Sequence, residues 1–553
     1  MFRPLFVKYR TKSGCGYLYD LGTGEIIEVD DVIYAIADDY RLLTRDELLV
    51  KYASLGRDAV EQALADLAAI RKEGCLADHP PQELARVERI LFDRTLYDLE
   101  EFWSQTASLL ILGTTERCNL CCEYCCYRGN FDGFRKHENR SMPFEVAAKA
   151  VDDYLTNRPG AYPDLLPITF YGGEPLLELD LMKRIVRYAD DLAARSGKKV
   201  AYSVTTNGTL LDDETVDYLV GRDIMVIVSF DGARTSHDRY RIFPDGAGSF
   251  DLIRANLERF ARRYPDYKNR GINMVVAPPL ELEDAAALMA EIIDDYPLSR
   301  AAWVNVGPSE RLSQAGAPAT RYGCYSASTG QCPSAPMDLF AVFSDTDREA
   351  LSRMWEACVA SLARVGLRET KRLMPLATVL FEQQLDVLHN RGITSKKQDW
   401  SLMVPCFPGF SRRFCDVDGN YRICERVDDS EAFILGNVHD GLQTGKLQRI
   451  MELRRHFGDC ANCTAVKACD LCYARIPHTD RAGTGYDPDF DALCRQTRSI
   501  YANLLLTYTE ILEANPTALD KPSWANQPRI RYGVYPRPLA PETQKKLERE
   551  SLY

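Results

Sequence analysis

Between residues 107 and 310, short apolar runs alternate with stretches whose apolar positions recur at helical spacing. The runs are SLLILG (108–113), PITFYGG (167–173), VAYSVTTNG (200–208), IMVIVSFDG (224–232), INMVVAP (272–278) and AWVNVG (302–307). Runs of this kind suit parallel strands buried on both faces. The intervening patterns predict helices near 144–157, 180–195, 212–221, 250–263 and 281–295. Strand and helix in strict alternation predict an α/β fold, a parallel six-stranded barrel or part of one. Active sites on such sheets collect at the C-terminal strand ends. Polar and glycine-rich residues stand at those ends here: GGEP after the second strand, TNG after the third and SFDG after the fourth.

The flanks follow other patterns. Residues 1–80 carry a hairpin signal in GYLYDLGTGEIIEV and helical patterns near 31–40, 45–54 and 57–72, the second opened by the capping box Thr44-Arg45-Asp46-Glu47. Hairpin plus short helices is a winged-helix-like layout, and an exposed strand edge in it can accept an extended peptide. A helical linker (81–106), the barrel (107–310), an insert with a helical bridge (311–400), a cysteine-rich region (401–500) and a C-terminal helix with a proline-rich tail (501–553) complete the expected organisation.

Composition narrows the function. The chain of 553 residues is 46% hydrophobic and 27% charged, with a net charge of −12. The acidic balance argues against a nucleic-acid partner. The opening MFRPLFVKYRTK holds no signal-peptide core, and no apolar run approaches the roughly 18 residues of a membrane span. A cytoplasmic protein with no membrane partner is expected. Its 18 cysteines therefore call for metal or redox chemistry rather than a disulfide framework.

Five of those cysteines fall in RCNLCCEYCCYRG, residues 117–129. Thiolates on a tight loop are iron–sulfur ligands, and three ligands leave one metal position open for chemistry. Cys118, Cys122 and Cys125, with Tyr124 before the last, fit that arrangement; spacing alone equally allows Cys118, Cys121 and Cys125. A second group comprises Cys406, Cys415, Cys424, Cys460, Cys463, Cys469, Cys472 and Cys494. Paired C-x2-C units also hold zinc, but these cysteines exceed one zinc site and suffice for two four-cysteine clusters.

TTERCNLCCEYCC resembles the C-x3-C-x-aromatic-C signature of radical SAM enzymes, and FYGGEP (170–175), TTNGTLL (205–211) and VSFDGARTSHDRYR (228–241) resemble the family's later motifs in order. The resemblance implies a [4Fe–4S] cluster on Cys118, Cys122 and Cys125, with S-adenosylmethionine (SAM) on its open iron. Gly172, Gly173 and Glu174 would then receive the SAM amino group. Ser229 and Asp231 would face its ribose and methionine portions, with Asn207 nearby, and Arg241 would meet its carboxylate. Tyr124 would adjoin the cofactor, while Cys121 and Cys126 would pack beside the cluster.

The second cysteine group resembles the SPASM extension, which carries two auxiliary [4Fe–4S] clusters. By that pattern Cys460, Cys463, Cys469 and Cys494 hold the outer cluster, and Cys406, Cys424 and Cys472 the inner one. Cys415, or a substrate thiolate, would complete the inner set. The final pair departs from the family spacing, with two residues rather than three between Cys469 and Cys472. Glu425 matches a position at which sulfatase-maturing relatives carry a base; an ion pair with Arg422 or Arg426 is its structural alternative. Together the parts resemble a maturase of ribosomally made peptides. The implied activity is hydrogen abstraction from a precursor peptide by a 5′-deoxyadenosyl radical, followed by cross-linking. A thioether is the leading product, carbon–carbon cross-linking or formylglycine formation the alternatives, and an iron–sulfur or zinc-binding regulator the non-enzymatic one. The expected partners are the precursor peptide, its leader held by the N-terminal module, and a ferredoxin or flavodoxin reductant.

Overall fold

The structure is a computed structural model, and it describes residues 6–76, 109–125, 127, 136–156, 165–303, 344–389, 409, 412–427, 431–452, 463–465, 469 and 490–520. The expected linker at 81–106, the insert at 311–343 and the tail beyond 520 lie outside the described residues, as do Cys126, Cys324, Cys332, Cys406, Cys460 and Cys472.

The apolar runs form β4 (Leu110–Thr115), β5 (Leu165–Gly172), β6 (Lys199–Thr206), β7 (Met225–Ser229), β8 (Arg270–Val276) and β9 (Arg300–Trp303), all parallel and hydrogen-bonded in chain order. Between them run α4 (Phe144–Thr156), α5 (Leu179–Ser196), α6 (Asp213–Gly221), α7 (Arg234–Tyr240), α8 (Phe250–Arg263) and α9 (Leu282–Ile292). This is the expected partial barrel.

The strands differ from the uniformly buried runs expected. On β5 to β8, buried residues alternate with half-buried ones. Leu166, Ile168, Phe170, Val204, Val226, Val228, Ile272 and Met274 belong to the core shared with the helices. The alternate positions include Thr169, Ser203, Ser229 and Asn273, and the Thr169 and Ser203 hydroxyls hydrogen-bond at 2.6 Å. One face of the sheet thus packs under helices while the other presents small polar groups to the barrel interior.

The sheet does not stop at β4. β10 (Arg413–Cys415) pairs parallel to it in the register Arg413↔Leu110, Phe414↔Ile111 and Cys415↔Leu112. β11 (Asn420–Arg422), β12 (Ile434–Asn437) and β13 (Gly441–Leu442) continue antiparallel, giving ten strands in the order β13-β12-β11-β10-β4-β5-β6-β7-β8-β9, and α12 (Thr444–Glu452) follows β13. The second cysteine-rich region is therefore built directly onto the edge of the barrel. Strands of two to four residues carry too short a pattern to be read as sheet extensions.

The N-terminal module, residues 6–76, holds an antiparallel sheet β1 (Phe6–Arg10), β2 (Gly16–Asp20) and β3 (Ile26–Val29), then α1 (Asp31–Ile36), α2 (Arg45–Lys51) and α3 (Arg57–Lys72). The Thr44–Glu47 capping box is formed. β1 is an addition to the expected hairpin. Two faces of β2 serve two cores: Leu18 packs under the module's own helices, whereas Tyr17 and Tyr19 join the core of the main body. Hydroxyls of Thr11, Ser13 and Tyr17 all donate to Glu513 Oε1 on α13 (Phe490–Ala514), at 2.7, 3.1 and 2.7 Å. The bridge expected as one helical stretch is two helices, α10 (Asp345–Leu373) and α11 (Pro375–His389), which pack with α13. The residue before a proline is pushed out of the helical region, which explains the break at Met374.

Candidate active site at the strand ends

The loop after β4 carries Cys118, Cys121, Cys122, Tyr124 and Cys125, and its backbone is stitched to two neighbouring strand-end loops. The amides of Gly173 and Glu174 donate to the carbonyls of Thr115 and Arg117, both at 2.8 Å. On the other side, the amides of Cys121 and Glu123 donate to Ile242 and Tyr240, at 2.7 and 2.8 Å. The glycine pair is what permits the first approach. A Cβ on Gly172, whose φ is +139°, would lie 2.2 Å from Thr115 O, and one on Gly173 would lie 2.1 Å from Arg117 O.

Glu174 is fully buried. Its carboxylate accepts the Thr206 hydroxyl at 2.8 Å, the Asn207 amide at 2.6 Å and the Leu176 amide at 3.0 Å. Burial pushes its carboxyl up to about 7, against the pull of those hydrogen bonds. Its oxygens tie the GGEP turn to the TNG turn. Asn207, in turn, accepts from the Thr209 amide and hydroxyl through Oδ1, and donates through Nδ2 to Asn119 at 2.7 Å and toward Cys118 Sγ at 3.8 Å.

Asp231 and Arg241, each expected near SAM, form a pair. Arg241 Nε donates to Asp231 Oδ2 at 2.6 Å, and both side chains are buried. The Tyr124 hydroxyl donates to the same oxygen, and the Val275 amide to Asp231 Oδ1 at 2.7 Å. Burial raises the Tyr124 hydroxyl well above its ordinary value. The Arg241 guanidinium lies over the Tyr124 ring, 5.4 Å from its centroid, and Nη1 reaches toward Cys122 Sγ at 3.9 Å. His237 supports the group from behind. Its Nδ1 accepts the Asp231 amide at 3.1 Å, so Nε2 carries the proton that meets Ser249 Oγ at 3.0 Å. Ser229 ends β7 on the half-buried barrel face, opposite Asn273 in register.

Sequence reasoning missed His137. Its Nε2 lies 3.5 Å from Cys125 Sγ and its Nδ1 2.8 Å from Glu116 O, while burial lowers its pKa. Its position twelve residues beyond Cys125, among only seven histidines in the chain, was the available signal. His137, Tyr127, Lys136, Tyr171 and Gly173 line an open pocket beside the cysteine loop. The Tyr127 hydroxyl donates to the Glu425 carbonyl, joining this loop to the second cysteine-rich region.

In that region Cys424 is buried just after β11, and Cys463, Cys469 and Cys494 are half-buried against the main core. Cys415 is the side chain considered for the fourth position of the inner set. It sits on β10 opposite Leu112 and Tyr421 as a fully buried core side chain, and burial raises its thiol well above the ordinary value. Glu425 pairs with Arg412 at 2.5 Å and Arg426 at 3.4 Å. Arg422, the other expected partner, pairs with Asp416 at 3.1 Å instead.

Among the described residues no three His, Cys, Asp or Glu side chains converge on a single metal ion. A cubane asks for something else, because its cysteines bind separate irons. The donor set fits it: Cys118, Cys122 and Cys125 share one loop at the strand ends, and nitrogen groups approach each of their sulfurs. Burial pushes the Cys118 thiol up to about 12, so its thiolate is expected only with a metal bound.

Residues 112–292 match the radical SAM superfamily model, and the chain carries that domain. The cofactors are those of the superfamily, a [4Fe–4S] cluster and SAM. An uncharacterized protein of Methanocaldococcus jannaschii is 36% identical over 140 residues, covering 25% of this chain and 44% of that protein. A serine-type anaerobic sulfatase-maturating enzyme of Bacteroides thetaiotaomicron is 29% identical over 182 residues, 33% of this chain and 39% of the enzyme. A radical SAM cyclopropyl synthase of Paramaledivibacter caminithermalis is 29% identical over 153 residues, 27% of this chain and 31% of the synthase. The chain matches less than half the length of each of these relatives.

Proposed function

We propose that the chain is a radical SAM maturase that cross-links a ribosomally made peptide. The observation that carries this reading is the hydrogen bond through Tyr127 that joins the cysteine loop to the second cysteine-rich region, in a chain whose N-terminal sheet is anchored on α13. When bound, the reduced cluster and SAM supply a 5′-deoxyadenosyl radical that abstracts hydrogen. Cys118, Cys122 and Cys125 hold the cluster. The carbonyls of the Gly172–Gly173 turn and the Ser229 hydroxyl are the proposed SAM contacts. The small polar groups Thr169, Ser203 and Asn273 leave room in the barrel for a peptide side chain and orient it by hydrogen bonds, while the helices covering the opposite face keep water out.

An edge of the β1–β3 sheet is the proposed docking place for the precursor, as an added strand. Cys424, Cys463, Cys469 and Cys494, with Cys406, Cys460 and Cys472, are the proposed ligands of two auxiliary clusters, one of which receives the electron left by ring closure. Glu425, buried beside Cys424, is the candidate base. A thioether from a peptide cysteine is the leading product. A ferredoxin or flavodoxin supplies the electron, in a reducing cytoplasm that suits so many thiols. No helix among the described residues is long and apolar enough to cross a membrane.

Co-expression with short peptides encoded beside the gene, followed by mass spectrometry, tests this reading. A thioether or carbon–carbon link removes one pair of hydrogens and leaves the peptide otherwise intact; an unchanged mass for every candidate contradicts it. Formylglycine formation is the second reading, favoured by the similarity to the sulfatase-maturating enzyme. It predicts an aldehyde on a sulfatase peptide.

A further inference from the structure

We propose that Arg241 and Asn207 act as positioning residues that tune the catalytic cluster by donating N–H groups to its cysteine sulfurs, rather than by binding SAM. The inference rests on the reading that Cys118 and Cys122 ligate that cluster. Two observations support it. Arg241 Nη1 lies 3.9 Å from Cys122 Sγ, and Asn207 Nδ2 lies 3.8 Å from Cys118 Sγ, so different strand ends serve different sulfurs. Both groups are also held from behind. Arg241 Nε is committed to Asp231, whose carboxylate is shared with the Tyr124 hydroxyl and the Val275 amide. Asn207 Oδ1 is committed to the Thr209 amide and hydroxyl, which fixes the direction of its Nδ2.

The physical consequence follows from charge. A hydrogen bond to a ligating sulfur draws electron density from the thiolate and stabilises the extra electron of the reduced cluster, raising its reduction potential. The guanidinium adds a full positive charge in a buried site, where screening is weak. Tyr124 and Asp231 then act through Arg241 by fixing its orientation.

The test is the midpoint potential of the SAM-free, reconstituted cluster, followed by electron paramagnetic resonance, with SAM affinity measured separately. Arg241→Met and Asn207→Ala are expected to shift the potential to more negative values at full iron content with SAM affinity little changed. Arg241→Lys, which keeps the charge, recovers part of the shift. Potentials equal to the parent in both variants would overturn the proposal. So would a tenfold loss of SAM affinity with the potential unmoved, since Arg241 would then be the SAM carboxylate partner. Should Arg241→Met fail to assemble, Asn207→Ala carries the same test. A parent protein that assembles no cluster at all would overturn the underlying reading along with the inference.

Discussion

Gly173 and Arg117 approach so closely that a Cβ on the glycine would lie 2.1 Å from the arginine carbonyl oxygen. The atom it would strike is backbone, so nothing can swing aside. The Gly173→Ala variant must push the cysteine loop away from β5, at a cost of about 1–3 kcal/mol from overpacking. It is expected to bind less iron after reconstitution and to melt earlier. Gly221 provides the contrast: a Cβ there meets nothing within 4 Å. Gly221→Ala should be neutral or stabilising by about 0.4–1 kcal/mol, with iron content unchanged. Iron analysis and thermal unfolding of the pair check both outcomes.

His237 sets an acid limit. Burial lowers its pKa from 6.5 to about 3. Below pH 6.5 the unfolded chain binds a proton there that the folded chain refuses until about pH 3, so stability falls as pH drops through that window. Because His237 carries the Asp231 amide, its protonation also loosens the support beneath Tyr124 and Arg241. A His237→Gln variant, which can still accept from that amide, should show a weaker dependence of unfolding midpoint on pH between about 6 and 4. Denaturant titrations across that range measure it; an unaltered slope would show that other groups control the acid transition.

Cys415 is expected to matter for packing and not for iron. Cys415→Ala removes a fully buried sulfur from the contact between β10 and β4, which should lower stability by about 1–2 kcal/mol through the cavity left behind. The iron-to-protein ratio of the reconstituted variant should equal that of the parent. A loss of about four irons per chain would instead restore Cys415 to the ligand set of an auxiliary cluster.

The sequence made the barrel legible because its signal is long: repeated strand–helix units, each with an apolar run and an amphipathic partner, place all six strands within a few residues. The strand-end motifs were legible for the same reason, since GGEP and TNG recur where topology puts a site. Side-chain pairing was not. Asp231 and Arg241 lie ten residues apart on either side of α7, and nothing in their spacing reveals that a helix folds them onto one another. Glu174 reads as an isolated carboxylate until Thr206, at the end of the next strand, and Asn207 just beyond it are seen to donate to it. Nor could the sheet extension be read. β10 is three residues long, and its pairing with β4 spans some three hundred residues of chain.

The central claim is that Cys118, Cys122 and Cys125 hold a cluster that activates SAM. The most direct measurement is 5′-deoxyadenosine formation by anaerobically reconstituted protein given SAM and a strong reductant. The account predicts product from the parent and from Cys121→Ala, and none from Cys122→Ala. No product from a parent protein that binds zinc without sulfide, or loss of product in Cys121→Ala with retention in Cys122→Ala, would contradict it.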